Sequence, residues 1–477
     1  MNGRAVAAGR GMGVSAAIAV LAAVAFTLLR QRALHGEDTR LFVLGLAAGD
    51  TGWLSRHFLF LPTIQGLGAV LRPFGASWFV VLQTAAIAGS ALGLFCLHRA
   101  GRRLLGADVG HWLPIALALV PGWFFFATAA EIHGLFVLPL GVAWWAFAAW
   151  HDVPGRWRAV AVGVGCGVAA ALHFTGYALL PTLLLLAFLR RRQPVRTCVG
   201  LCAWSGLGLV GAVVLAALAV GVSPWGQFTA AAEFGEAWSV RVQMAEVPRV
   251  GWTEFVRPFL PWSFLVVPAC FVPSARPYAV GALLAMGMHA PTPLLGLANA
   301  ERLVEHGAYL TACAVPLVLA AWHTVPRWAF AGSVVVAAVV ANGLQAGRRV
   351  VPYDPAMVAS LRALQQERGP LALVVGSRSA DMEALTIECE GQLFIDTDKV
   401  RVWTDGASGV PLAPWFDAII AHFASGRQLV VCASARAAFA QHAHPEVRAL
   451  WADHLARAYV VEPIVRPGLE AWLLTRR

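Results

Sequence analysis

The chain has 477 residues, 58% of them hydrophobic and only 13% charged, with a mean hydropathy of +0.66. A soluble protein of this length would carry about a quarter charged residues, so a soluble fold is excluded; a β-barrel is excluded too, because the apolar runs do not alternate with polar residues. The net charge of +10 does not point to nucleic acid, since the arginines sit in short loops between apolar runs: "HRAGRR" at 98–103, "PGRWR" at 154–158 and "RRRQPVR" at 190–196. Such loops stay in the cytoplasm.

In chain order, the apolar runs predict membrane spans near 11–30, 58–72, 76–97, 110–128, 131–150, 158–176, 177–189, 198–221, 258–273, 277–297, 306–323 and 327–345. Tryptophans such as Trp78, Trp112, Trp150, Trp262 and Trp328 cluster at the predicted ends, as an interfacial belt does. The first run, "GMGVSAAIAVLAAVAFTLLR", is long, lacks a clear cleavage site and precedes further spans, so it reads as an uncleaved anchor rather than a signal peptide. "GVGCGVAAA" at 163–171 has small residues at the spacing of close helix contact.

The arginine loops predict a cytoplasmic N-terminus. The turns at 129–133 and 173–177, the stretch 222–257, the segment 301–306 and the chain after the last span then lie outside. Parity requires an odd number of crossings between 58 and 97. Either 58–72 is re-entrant or interfacial, or "HRAGRR" is outside.

From about residue 350, charged residues become frequent and the apolar runs shorten to strand length: "LALVVG" 371–376, "QLFID" 392–396, "QLVVCA" 428–433, "AYVVEPIV" 458–465 and "AWLLT" 471–475. Helical patterns lie between, at 355–369 and 414–426, so a small α/β domain is expected. The fold class is therefore mostly α: a polytopic helical membrane protein of about 11–13 spans. Residues 1–348 form the membrane domain and 349–477 a soluble α/β domain outside the membrane. Six cysteines (Cys96, Cys166, Cys198, Cys202, Cys270, Cys313) lie in apolar runs as packing residues. Cys389 and Cys432 are candidates to pair if their domain meets an oxidising compartment.

Ionisable residues in or beside spans are costly and are functional candidates by default. The outside set is Glu37, Asp38, Arg40, Asp50, Arg56, His57, Glu131, His133, His173, Glu301, Arg302 and His306. Carboxylates serve as bases or metal ligands, and arginines clamp phosphate. Each has a plainer alternative: Glu37 and Asp38 also read as a solvated loop, and His173 as a hydrogen-bonded helix-end residue. Glu131, with no other charge in "FFFATAAEIHGLFVLPL", is harder to dismiss. "VVGSRSAD" at 374–381 is a weak candidate phosphate cradle at a helix start.

The order of these features resembles the GT-C superfamily of membrane glycosyltransferases, most closely the bacterial protein O-mannosyltransferase-like branch. The matching stretches are "GEDTRLFVLGLAAGD", "HFLFLPTIQGLGAVLRPFG", "VVLQTAAIAGSALGLFCLHRAGRRL", "PGWFFFATAAEIHGLFVLPL" and "GVGCGVAAALHFTGYALLP", together covering residues 11 to about 190. The branch's "H-P-P-G-Y-P" is reduced here to "RHFLFLP", and its hairpin tyrosine is His133. The resemblance implies transfer of a sugar from a polyprenyl-phosphate donor to a glycan, lipid or protein acceptor at the outer face of a bacterial inner membrane, with membrane lipid as the other partner. It implies that Asp38, with Glu37 as lesser partner, and Glu131 are the catalytic carboxylates. Arg40, Arg56, His57, His133, His173, Arg302 and His306 then bind substrate. The leaving phosphate calls for an arginine or a divalent metal, and the sequence leaves metal dependence open. Two other classes compete: a transporter or lipid-handling protein, which predicts inverted repeats that are not seen, and a non-enzymatic membrane scaffold.

Overall fold

The computed structural model describes residues 2–49, 57–190, 193–228, 247–289, 306–369, 371–374, 379–390, 428–441, 445–449, 457 and 459–477. The chain divides into two compact units. The first comprises 1–31, 52–70 and 81–347; the second comprises 32–51, 71–80 and 348–477.

Up to residue 347 the helices are α1 (Asn2–Leu28), α2 (Gly36–Ala48), α3 (Phe60–Leu71), α4 (Trp78–Leu104), α5 (Trp112–Ala118), α6 (Pro121–Thr128), α7 (Ile132–Asp152), α8 (Arg156–Leu172), α9 (Leu179–Leu189), α10 (Val195–Ala219), α11 (Val247–Val250), α12 (Val266–Phe271), α13 (Arg276–His289), α14 (Ala314–Thr324) and α15 (Arg327–Gln345). Among the described residues, five helices are long and apolar enough to cross a bilayer: Gly11–Leu28 within α1, then α4, α7, α10 and Arg327–Arg348. This is a polytopic helical membrane fold with a small sheet near its C-terminus, the expected fold class.

Several predicted spans are interrupted, for reasons visible in the sequence. The run 110–128 splits into α5 and α6 because Pro121, at the first position of α6, cannot continue a preceding helix's hydrogen-bond ladder. The run 158–176 ends at Leu172, and His173 is extended (φ −152°, ψ 136°) before a 3-10 turn, Phe174–Ala178. Helix α3 has 12 residues, about 18 Å of rise, less than a bilayer's hydrocarbon core. Its length suits the interfacial alternative for 58–72.

The first unit packs its helices through bare backbone. A Cβ added at Gly89 of α4 would meet the Leu135 Cα of α7 at 2.5 Å, and one added at Gly163 of α8 would collide with the Ser205 carbonyl of α10. Gly167 and Gly208 make equally close approaches across α8 and α10. The small-residue run 163–171 is thus a helix-contact surface, as small residues are in membrane bundles. Large rings such as Trp144, Phe147 and Trp150 of α7 are buried around these contacts.

The second unit contains α2 and, after residue 348, α16 (Pro355–Arg368), β1 (Leu371–Val374), α17 (Ser379–Glu388), β2 (Gln428–Cys432), α18 (Ala433–Gln441), α19 (Pro445–Ala449), β3 (Tyr459–Arg466) and β4 (Leu469–Arg476). The sheet order is β1-β2-β4-β3, with β1 parallel to β2 and the other pairs antiparallel. Helix α16 starts where Asp354 caps the Ala356 N–H at 2.9 Å ahead of Pro355 at N1, and ends at Gly369, φ +80°. Its Met357, Leu361 and Leu364 repeat at helical spacing and bury against Leu371, Val430, Ile464 and Leu473. Four of the five predicted strands are present; 392–396 and the predicted helix 414–426 lie outside the described residues. Cys389 and Cys432 form no disulfide with each other, and both pack in the sheet core. Burial pushes the Cys389 thiol up to about 11.

Candidate functional site

The hairpin that carries Glu131 is a break between α6 and α7, and three glutamines hold it. Residues Ala129 (φ −89°, ψ 161°) and Glu131 (φ −145°, ψ 156°) are extended, which leaves the last carbonyls of α6 without helical partners. Gln31 Nε2 donates to the Phe125 carbonyl at 2.9 Å, and Gln345 Nε2 to that of Phe124 at 3.0 Å. Gln83 Nε2 donates to the Gln31 carbonyl at 2.5 Å. The Thr128 hydroxyl adds bonds to Phe124 and Phe125, both 3.0 Å. All four side chains are buried. They come from the turn after α1, from α4, from α15 and from α6 itself, so tertiary contacts fix the break.

Glu131 is the N-cap of α7, its carboxylate accepting the Ile132 N–H at 2.7 Å. The same oxygen faces His133 Nδ1 at 3.3 Å. A carboxylate only accepts, so Nδ1 carries the proton. The Nε2 of that ring is buried, with no hydrogen-bond partner among the described residues.

His133 belongs to a histidine cluster. Its ring lies 4.8 Å from His173, which stacks on His57 at 5.2 Å with 10° between the planes. Phe126 is 4.7 Å from His133, and Tyr309 is 6.0 Å from His173. His57 Nδ1 donates to the Leu172 carbonyl at 3.1 Å. In His173 the Nδ1 accepts the Thr175 N–H at 3.4 Å and lies 2.8 Å from the Thr175 hydroxyl, so any ring proton is on Nε2.

A second cluster surrounds His306. His306 and Gly307 are both left-handed, φ +49° and +77°, a conformation costing a non-glycine residue roughly 1–3 kcal/mol. Arg257 Nη2 donates to His306 Nδ1 at 3.1 Å, and the buried Glu254 carboxylate accepts the Gly307 N–H at 2.9 Å. These bonds offset the strain. The His306 ring lies 4.2 Å from that of Phe125 in α6.

Of the expected site residues, the first unit brings together Glu131, His133, His173 and His57, with His306 in the neighbouring cluster. Glu37 and Asp38 lie not in a loop but in the first turn of α2, within the second unit, as does the buried Arg40. The side chains of Glu37 and Asp38, and all of Asp50, Arg56, Glu301, Arg302 and the turn 375–378, lie outside the described residues. Glu254, Arg257, Tyr309 and the three glutamines escaped sequence reasoning. "GWTEFVRPF" held a signal for the first two: a glutamate and an arginine three residues apart in an otherwise aromatic stretch. Among the described residues no three His, Cys, Asp or Glu side chains converge as metal ligands do.

No family model matches the sequence, and no curated protein matches it. The fold is that of a polytopic helical membrane protein. It is similar to the crystal structure of ArnT from Cupriavidus metallidurans in the apo state, with a TM-score of 0.55 and 16% identity over 98% of each chain. It is also similar to the same protein bound to undecaprenyl phosphate, with a TM-score of 0.53 and 16% identity over 97% of each chain.

Proposed function

We propose that this chain is a membrane glycosyltransferase that takes a sugar from a polyprenyl-phosphate donor and passes it to a glycan, lipid or protein acceptor. The observation that carries the proposal is the end-to-end likeness to ArnT, one of whose structures holds undecaprenyl phosphate. In this reading the protein lies in a bacterial inner membrane, with its N-terminus cytoplasmic and its C-terminal domain outside.

The reaction requires an acceptor hydroxyl to lose a proton as its oxygen bonds to the anomeric carbon. The bond from that carbon to the phosphate oxygen breaks, and polyprenyl phosphate leaves. Asp38 is the proposed base, with Glu37 as lesser partner. Glu131 orients His133. Arg40, Arg56, Arg302, His57, His133, His173 and His306 are the proposed contacts of the donor phosphate and sugar. The narrower reading, an O-mannosyltransferase-like activity, rests on the motif order in residues 11–190, which makes mannose the first sugar to offer.

The test uses the full chain in lipid nanodiscs with undecaprenyl phosphate carrying labelled mannose, reading label transferred and undecaprenyl phosphate released. Asp38→Asn keeps the shape of the carboxylate without its basicity, so transfer should fall at least about a hundredfold. An acid in a helix's first turn also interacts with the helix dipole, worth about 0.3–1 kcal/mol; a purely structural Asp38 would give the Asn variant normal transfer. A wild-type chain that neither retains undecaprenyl phosphate nor releases it from any sugar-loaded form would sink the glycosyltransferase reading.

A further inference from the structure

Helix α2 begins without a capping side chain of its own. Its N-cap, His35, makes no side-chain cap bond to the first turn, although the Thr39 hydroxyl donates to the His35 carbonyl at 2.7 Å. The two residues before it, Ala33 and Leu34, are buried, and buried backbone polar groups need partners. Both groups of Leu34 find them in the chain beyond residue 347. The Leu34 N–H donates to Glu383 Oε2 at 3.2 Å, and the Leu34 carbonyl accepts from Arg348 Nη1 at 3.0 Å. The Arg32 N–H donates to the Arg348 carbonyl at 2.7 Å. All these residues belong to the second unit.

We infer that the C-terminal α/β region sets the position of the acidic turn of α2 by clamping Leu34 between Glu383 and Arg348, which makes these two positioning residues for Asp38. The inference rests on the glycosyltransferase reading for the role of Asp38; the clamp itself does not. It gives the C-terminal region a task that needs no catalytic motif within it, since a strut attached four residues before Asp38 governs where that turn starts.

Arg348 and Tyr353 interact with Glu383; Tyr353 in turn bonds Glu388, which pairs with Arg362, and the neighbouring helix α2 carries Glu37, Asp38 and Arg40 in its sequence. Burial pushes the Glu383 carboxyl up to about 7, and the Leu34 N–H and Arg348 oppose that rise. The closed clamp therefore favours the protonated acid, whose carbonyl oxygen still accepts the Leu34 N–H. It is firmest below the ordinary carboxylate pKa and loosens as pH rises through about 7.

Hydrogen–deuterium exchange on the full chain in nanodiscs tests this, following the peptide 32–40 with intrinsic exchange rates divided out. Glu383→Ala should speed exchange there by at least about tenfold. Glu383→Gln retains an accepting oxygen and cannot ionise, so it should keep wild-type protection at pH 5 and lose the increase in exchange that the wild type shows towards pH 8. In the mannose-transfer assay, Glu383→Ala should lower kcat with little change in donor KM, and Glu383→Gln should restore it. Exchange in Glu383→Ala equal to that of the wild type overturns the clamp. Faster exchange with unchanged transfer overturns its positioning role. The exchange arm needs no donor, so a failure of the glycosyltransferase reading would leave its own mark, absent transfer in the wild type, without being confused with failure of the clamp.

Discussion

The surface pairs of the second unit and the buried carboxylates of the first treat charge differently. In the second unit, carboxylates meet arginines in exposed or half-exposed pairs: Arg362–Glu388 at 2.6 Å, Arg368–Glu462 at 2.8 Å and Arg466–Glu367 at 2.5 Å. In the first unit, among the described residues, the buried Glu131 and Glu254 also satisfy backbone N–H groups, those of Ile132 and Gly307, beside His133 and Arg257. Buried amides and hydroxyls likewise bond to carbonyls at helix ends. Surface pairs are replaceable, whereas a buried carboxylate that satisfies a backbone N–H leaves an orphan when removed. The helix breaks of the first unit carry Glu131, His173 and His306.

If that contrast holds, the harshest changes fall in the first unit. Gly163→Leu drives a side chain into the Ser205 carbonyl across α8 and α10. It should cost roughly 3 kcal/mol or more, at the upper end of overpacking penalties, read as loss of folded protein in a denaturant titration in detergent. Next is Glu131→Leu, which strands the Ile132 N–H and the His133 Nδ1–H together. About 2–3 kcal/mol is expected for groups bonded to a carboxylate, and Glu131→Gln, which keeps an accepting oxygen, should recover most of it. A Leu variant as stable as the Gln variant would break the comparison. Gln83→Leu removes the donor to the Gln31 carbonyl and should cost about 1–2 kcal/mol, with the loss shared by Gln31→Leu in a double-mutant cycle because the two act on one helix end.

How much of this was legible in the sequence follows from the range of the forces involved. The membrane class, the small-residue contact at 163–171 and four strands of the second unit could be read because composition and periodicity are local. The break at Pro121 was in plain view, yet the apolar run concealed it, because hydropathy averages over the residue that ends a helix. Glu131 stood out because a lone charge in an apolar run has few explanations. Its support from Gln31, Gln83 and Gln345 was invisible, since these lie 100, 48 and 214 positions away and nothing local pairs them. The α2 assignment of Glu37 and Asp38 was missed for a similar reason: the turn starts without a capping side chain, so the usual helix-start signal is absent.

The smallest expected effect belongs to the second unit, and it sharpens the comparison from the other side. Arg466 grips Glu367 through both nitrogens, at 3.1 and 2.5 Å, the strongest geometry an arginine–carboxylate pair can take. The arginine holds the Glu367 carboxyl below its usual range. A depressed folded pKa contributes stability above the unfolded value, and that contribution is lost as pH falls through the depressed one. Water surrounds the pair, however, so both charges are solvated without each other and salt screens them. Arg466→Met should thus leave the melting temperature at neutral pH and physiological salt unchanged within error. Any difference from the wild type should emerge only at low ionic strength and vanish again in acid. If Arg466→Met destabilises the protein as much as Gln83→Leu does, good geometry matters more than burial, and the contrast between the two units fails at the point where it predicts most plainly.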